Sequence, residues 1–76
     1  MVNGAQIMSK PIDEVEFYTR AREAYRRHCF RHNLIFQQPA KGGEIDGNTI
    51  TLSNSYGVLA RYRWTGERVE RVVEES

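Results

Sequence analysis

The sequence predicts an α+β domain, one N-terminal helix packed on a three- to four-stranded antiparallel meander sheet, and three observations carry that prediction. Residues 11–33, PIDEVEFYTRAREAYRRHCFRHN, repeat apolar side chains at helical spacing. From residue 49 onward the pattern changes to alternation, rich in β-branched and aromatic side chains. Turn-forming clusters at 42–43, 46–48, 54–57 and 65–66 divide that second half into pieces of strand length.

Residues 1–9 carry no periodicity and include Gly4, which reads as a flexible leader. Pro11 suits a first helical position, and Asp13, Glu14 and Glu16 set negative charge against the positive end of the helix dipole. At the other end Arg26, Arg27, His28, Arg31 and His32 are basic, and Asn33 tolerates the left-handed conformation of a cap. Turning 100° per residue puts Phe17, Tyr18, Ala21, Ala24, Tyr25, His28, Cys29 and His32 on one inward face. Glu16 with Arg20 and Glu23 with Arg27 stand four apart on the opposite side, in the favourable order.

Leu34, Ile35 and Phe36 read as a short strand before Pro39, and Lys41, Gly42 and Gly43 as a turn. Glu44 and Ile45 pair briefly ahead of the turn at 46–48. In Thr49–Ser53, Ile50 and Leu52 face the helix. The clearest strand is Val58–Trp64, with Val58, Ala60, Tyr62 and Trp64 on one side and Leu59, Arg61 and Arg63 on the other. Thr65 and Gly66 form a two-residue loop to a returning strand over Arg68–Val73, opposing Tyr62 to Val69 and Arg61 to Glu70. A short helix over 67–75 is the rival reading; the β-branched content favours the strand. Residues 74–76 read as a solvated tail. The expected core is Phe17, Ala21, Tyr25, Ile50, Leu52, Val58, Ala60, Tyr62 and Val69.

Seventy-six residues make a single domain, 1–76, that buries only about 60–65% of the surface its unfolded chain exposes. An apolar fraction of 39% with 28% charged residues is that of an ordinary folded chain. Cys29 stands alone, which excludes an intrachain disulfide and points to a reducing, cytoplasmic setting. The first residues lack the apolar run of a signal peptide, and no stretch reaches the 18 apolar residues of a membrane span, so membrane insertion is not expected.

His28, Cys29 and His32 are the nearest approach to a metal site, but the chain has no further His or Cys to complete the set, so no metal is assigned. Cys29 lies toward the C-terminal end of the helix, where the dipole opposes a thiolate. The carboxylates are accounted for by the helix dipole, turns and solubility, and Gly42–Gly43 lacks the spacing and lysine of a phosphate loop. No enzymatic activity, cofactor or small-molecule substrate is expected.

Arginine is the unusual feature: nine of the eleven basic residues, against a net charge of +1. Arg61, Arg63 and Arg68 around Leu59 and Val72 give an apolar centre with an arginine rim, the composition of a docking surface for a protein partner or a second copy of the chain. Ile12, Val15 and Phe30, on the polar arc of the helix, form a second apolar set. The alternative is electrostatic binding of nucleic acid by Arg20, Arg26, Arg27, Arg31, Arg61 and Arg63, with Tyr56 to stack on bases.

Overall fold

Asp13 starts the only long helix among the described residues. In the computed structural model, which describes residues 11–73, its backbone is extended and its carboxylate accepts the N–H groups of Val15 at 3.0 Å and Glu16 at 3.3 Å. Helix α1 therefore spans Glu14–Arg31, shorter than the predicted 11–33, and Pro11 precedes the cap rather than opening the first turn. The expected leader and tail, 1–9 and 74–76, lie outside the described residues.

The C-terminal cap follows the expectation for Asn33, whose φ is +58°. Leu34 N–H donates to the Cys29 carbonyl at 2.8 Å and Asn33 N–H to that of Phe30 at 3.4 Å, the paired bonds of a Schellman motif. This cap throws the chain sideways. Residues 34–36 consequently form no strand: Leu34 and Ile35 stay in solvent, while Phe36 turns its ring onto Tyr25, centroids 5.3 Å apart.

Four strands follow as an antiparallel meander in the order β1-β2-β3-β4: β1 Glu44–Asp46, β2 Thr49–Asn54, β3 Gly57–Trp64 and β4 Val69–Arg71. Asp46 pairs with Thr49, so the first hairpin closes with two residues, and Gly47 supplies the positive φ of +63° that such a loop needs. Phe17, Ala21, Tyr25 and Cys29 of α1 pack on Ile50, Leu52, Ala60 and Tyr62 to make the buried core. His32 is exposed, outside the face assigned to it, and Val69 is half-buried against the core rather than within it.

Two departures in the sheet change which side chains reach the surface. Leu52 pairs with Ala60 but Ser53 pairs with Val58, which leaves Leu59 as the extra residue of a β-bulge. A bulge inverts the alternation beyond it. Val58 therefore leaves the core and is 61% exposed, while Leu59 is half-buried against the core instead of standing on the outer face. The second departure is in the last hairpin, whose loop runs over residues 65–68, so that Trp64 meets Val69, Arg63 meets Glu70 and Tyr62 meets Arg71. The two-residue loop would have set Arg63 beside Arg68; the longer one gives Glu70 to both, at 3.4 Å each.

Ile50→Ala should lower stability by about 2–5 kcal/mol, because Ile50 is wholly buried at the centre of the core. Val58→Ala should change it by less than about 0.5 kcal/mol. Urea denaturation of both variants checks the bulge, and a large loss at Val58 would place that side chain inside.

Candidate docking surface

α1 covers one sheet face, and the other carries the polar side chains. Glu44 and Asp46 of β1 pair with Thr51 and Thr49 of β2, which in turn pair with Arg61 and Arg63 of β3, all on that outer side. Arg61 Nε donates to Thr51 Oγ1 at 3.3 Å, and Arg63 and Arg68 both engage Glu70. Val72, half-buried, donates its N–H to the Arg61 carbonyl at 2.9 Å. With Leu59 withdrawn by the bulge, the predicted set Leu59, Arg61, Arg63, Arg68 and Val72 does not form an apolar centre ringed by arginine. It is a mesh of threonines and cross-strand charges.

The helix arginines divide into two groups. Arg20 is held by Glu16 at 2.7 Å and lies over the Trp64 ring at 5.5 Å, and Arg22 bonds Gln38 and lies over Phe36 at 5.9 Å; these two pin the flanks of α1. Arg26, Arg27 and Arg31 are exposed and make no ion pair among the described residues. They border a shallow groove with Glu23 and Phe30, and the Phe30 ring is 87% exposed. Arg61 and Arg63, on the outer sheet face, point away from this group. The alternative nucleic-acid set therefore falls on opposite sides of the molecule.

A second cleft lies on the sheet side of the helix end. The Schellman turn delivers Leu34 and Ile35 to it, and the bulge delivers Val58 across from them, so that the three side chains line it with Leu59, His28 and Arg71. Leu34, Ile35 and Val58 are all exposed. Periodicity could not disclose this surface, since it depends on a helix cap and a bulge.

His28 and His32 stack at 4.3 Å between ring centroids, but Cys29 is buried on a different side of the helix. Among the described residues no group of three or more His, Cys, Asp or Glu side chains is placed to hold a metal. Burial raises the Tyr25 hydroxyl pKa, aided by the Cys29 thiol beside it. Burial also raises that of Tyr62, an effect partly offset by the Arg71 guanidinium. For His28, desolvation and then the charges of Arg71, His32 and Arg31 lower the pKa. Among the described residues no helix is long and apolar enough to cross a membrane. Set against known protein families, curated proteins and solved structures, the chain matches none.

A depressed His28 pKa means that the unfolded chain binds the proton more readily, so stability falls as the pH drops through the ordinary histidine range. Between about pH 7.5 and about pH 5.5, wild type should lose more stability than His28→Gln. Urea midpoints at both pH values measure the difference; parallel losses would remove His28 as the cause.

Proposed function

We propose that this is a non-catalytic protein-interaction domain that docks a partner protein, or a second copy of itself, at the end of the molecule formed by the last turns of α1, residues 34–35 and the start of β3. The observation that carries this reading is the cleft in which three exposed apolar side chains, Leu34, Ile35 and Val58, stand together with the exposed Arg71. Arginine beside apolar side chains is a composition found at binding hot spots. Exposed Leu, Ile and Val gathered at one end, rather than scattered, is what a docking surface requires. The buried Cys29 thiol supports a reducing, cytoplasmic setting for this work.

Separation of the two arginine sets weighs against the nucleic-acid alternative, because a phosphate backbone needs its cations on one continuous track. Fluorescence titration with a mixed-sequence oligonucleotide should accordingly give no affinity that falls steeply with salt. Affinity capture with wild type and with an Ile35→Ser, Val58→Ser double variant tests the docking reading. The expected result is a partner, or a differently tagged second copy, retained by wild type and reduced about tenfold or more by the variant at unchanged thermal stability. Equal retention by both would overturn it.

A further inference from the structure

We infer that the cleft between Leu34–Ile35 and the start of β3 is a slot for an extended peptide segment of the partner protein, one that carries a carboxylate side chain among branched apolar residues. This inference rests on the docking reading and adds to it the chemistry by which the partner is recognised.

The cleft encloses about 510 Å³, with Leu34 and Ile35 from the capped turn and Val58 and Leu59 from the bulged strand as its apolar lining. Arg71 supplies its charge, with the His28 imidazole beside it, and among the described residues no acidic side chain lines it. Arg71 makes no ion pair among the described residues. Its guanidinium lies beside the hydroxyl of its cross-strand neighbour Tyr62 and opposes the rise that burial gives that group's pKa. Desolvation is the first cause of the lowered His28 pKa, and the charges of Arg71, His32 and Arg31 add to it. An incoming carboxylate would accept charge-assisted hydrogen bonds from the Arg71 fork and the imidazole, while its apolar neighbours cover Leu34, Ile35 and Val58.

The shape selects a peptide over other anions. A fatty acid requires a pocket that encloses most of its surface, whereas Ile35 is 85% exposed on an open rim. A nucleic acid requires ring faces for its bases, and the exposed walls here are aliphatic.

Chemical-shift titration of the full chain with two capped hexapeptides of leucine and valine, identical except that one aspartate is replaced by asparagine, tests the slot. The aspartate peptide should shift the methyl signals of Leu34, Ile35 and Val58, raise the midpoint of the His28 ring titration, and bind about tenfold more tightly than the asparagine peptide. Arg71→Gln should bring that ratio to about one while leaving the fold intact, because Arg71 is exposed. Equal affinity of the two peptides, an unmoved His28 midpoint, or perturbation of the same methyls by octanoate or a single-stranded oligonucleotide but by neither peptide would overturn the inference. Should neither peptide bind while partner capture still depends on Ile35 and Val58, the slot fails and the docking surface stands; loss of capture by wild type removes both.

Discussion

One stripe of the helix against one face of the sheet carries this structure: Phe17, Ala21, Tyr25 and Cys29, each four residues after the last, laid on Ile50, Leu52, Ala60 and Tyr62. Full burial of side chains such as Phe17, Ile50 and Leu52 contributes roughly 1.5–3 kcal/mol apiece. Everything else is arranged around that contact. Among the described residues one helix covers one side of a four-stranded sheet, and the other side carries polar groups: threonines on β2, arginines on β3 and Glu70 on β4. Arg20 over Trp64 and Arg22 over Phe36 then seal the two edges of the helix with their stems and planar heads.

Most of this architecture was legible in the residues. The helical stripe, the strand alternation of Ile50 and Leu52, and the Gly47 turn each follow from a local period or a backbone requirement that the side chains state directly. Asn33 is the same kind of case, a residue whose tolerance of positive φ announced where the helix stops. Failures came where a non-local pairing decides the outcome. Whether β3 meets β4 through two loop residues or four depends on which register lets Glu70 meet Arg63, and both registers keep Tyr62 inward, so the hydrophobic pattern alone cannot choose between them. Leu34–Phe36 has strand composition but no strand beside it to complete a ladder.

The bulge at Leu59 has the largest functional consequence of these. Strict alternation sends Leu59 out and Val58 in; one extra residue in β3 exchanges them. The exchange removes the apolar centre from the outer sheet face and creates one at the end of the domain, opposite the residues that the Schellman cap leaves in solvent. Two irregularities, one in a helix terminus and one in a strand, thus converge on a single patch, whereas the regular elements account only for the core. Recognition surfaces tend to arise this way, since regular elements spend their apolar side chains on each other.

Charge gives the patch its character. A helix C-terminus favours cations nearby, but the effect decays within the last turn and is satisfied by one or two of them. Here Arg26, Arg27 and Arg31 on α1 border one groove with Glu23, and Arg71 from β4 stands by His28 in a second cleft. Elsewhere among the described residues arginines are given acids: Arg20 has Glu16, and Arg63 and Arg68 share Glu70. Holding Arg26, Arg27, Arg31 and Arg71 without an ion pair among the described residues raises the folded state's electrostatic energy, and His28, whose pKa is lowered first by desolvation, also feels the charges of Arg71, His32 and Arg31. Self-repulsion of this kind is relieved by an anionic group brought from outside, and aliphatic side chains exposed beside it gain by being covered in the same event. On the proposed reading, Arg71 and the aliphatic side chains of its cleft are the two terms from which an association would draw its free energy.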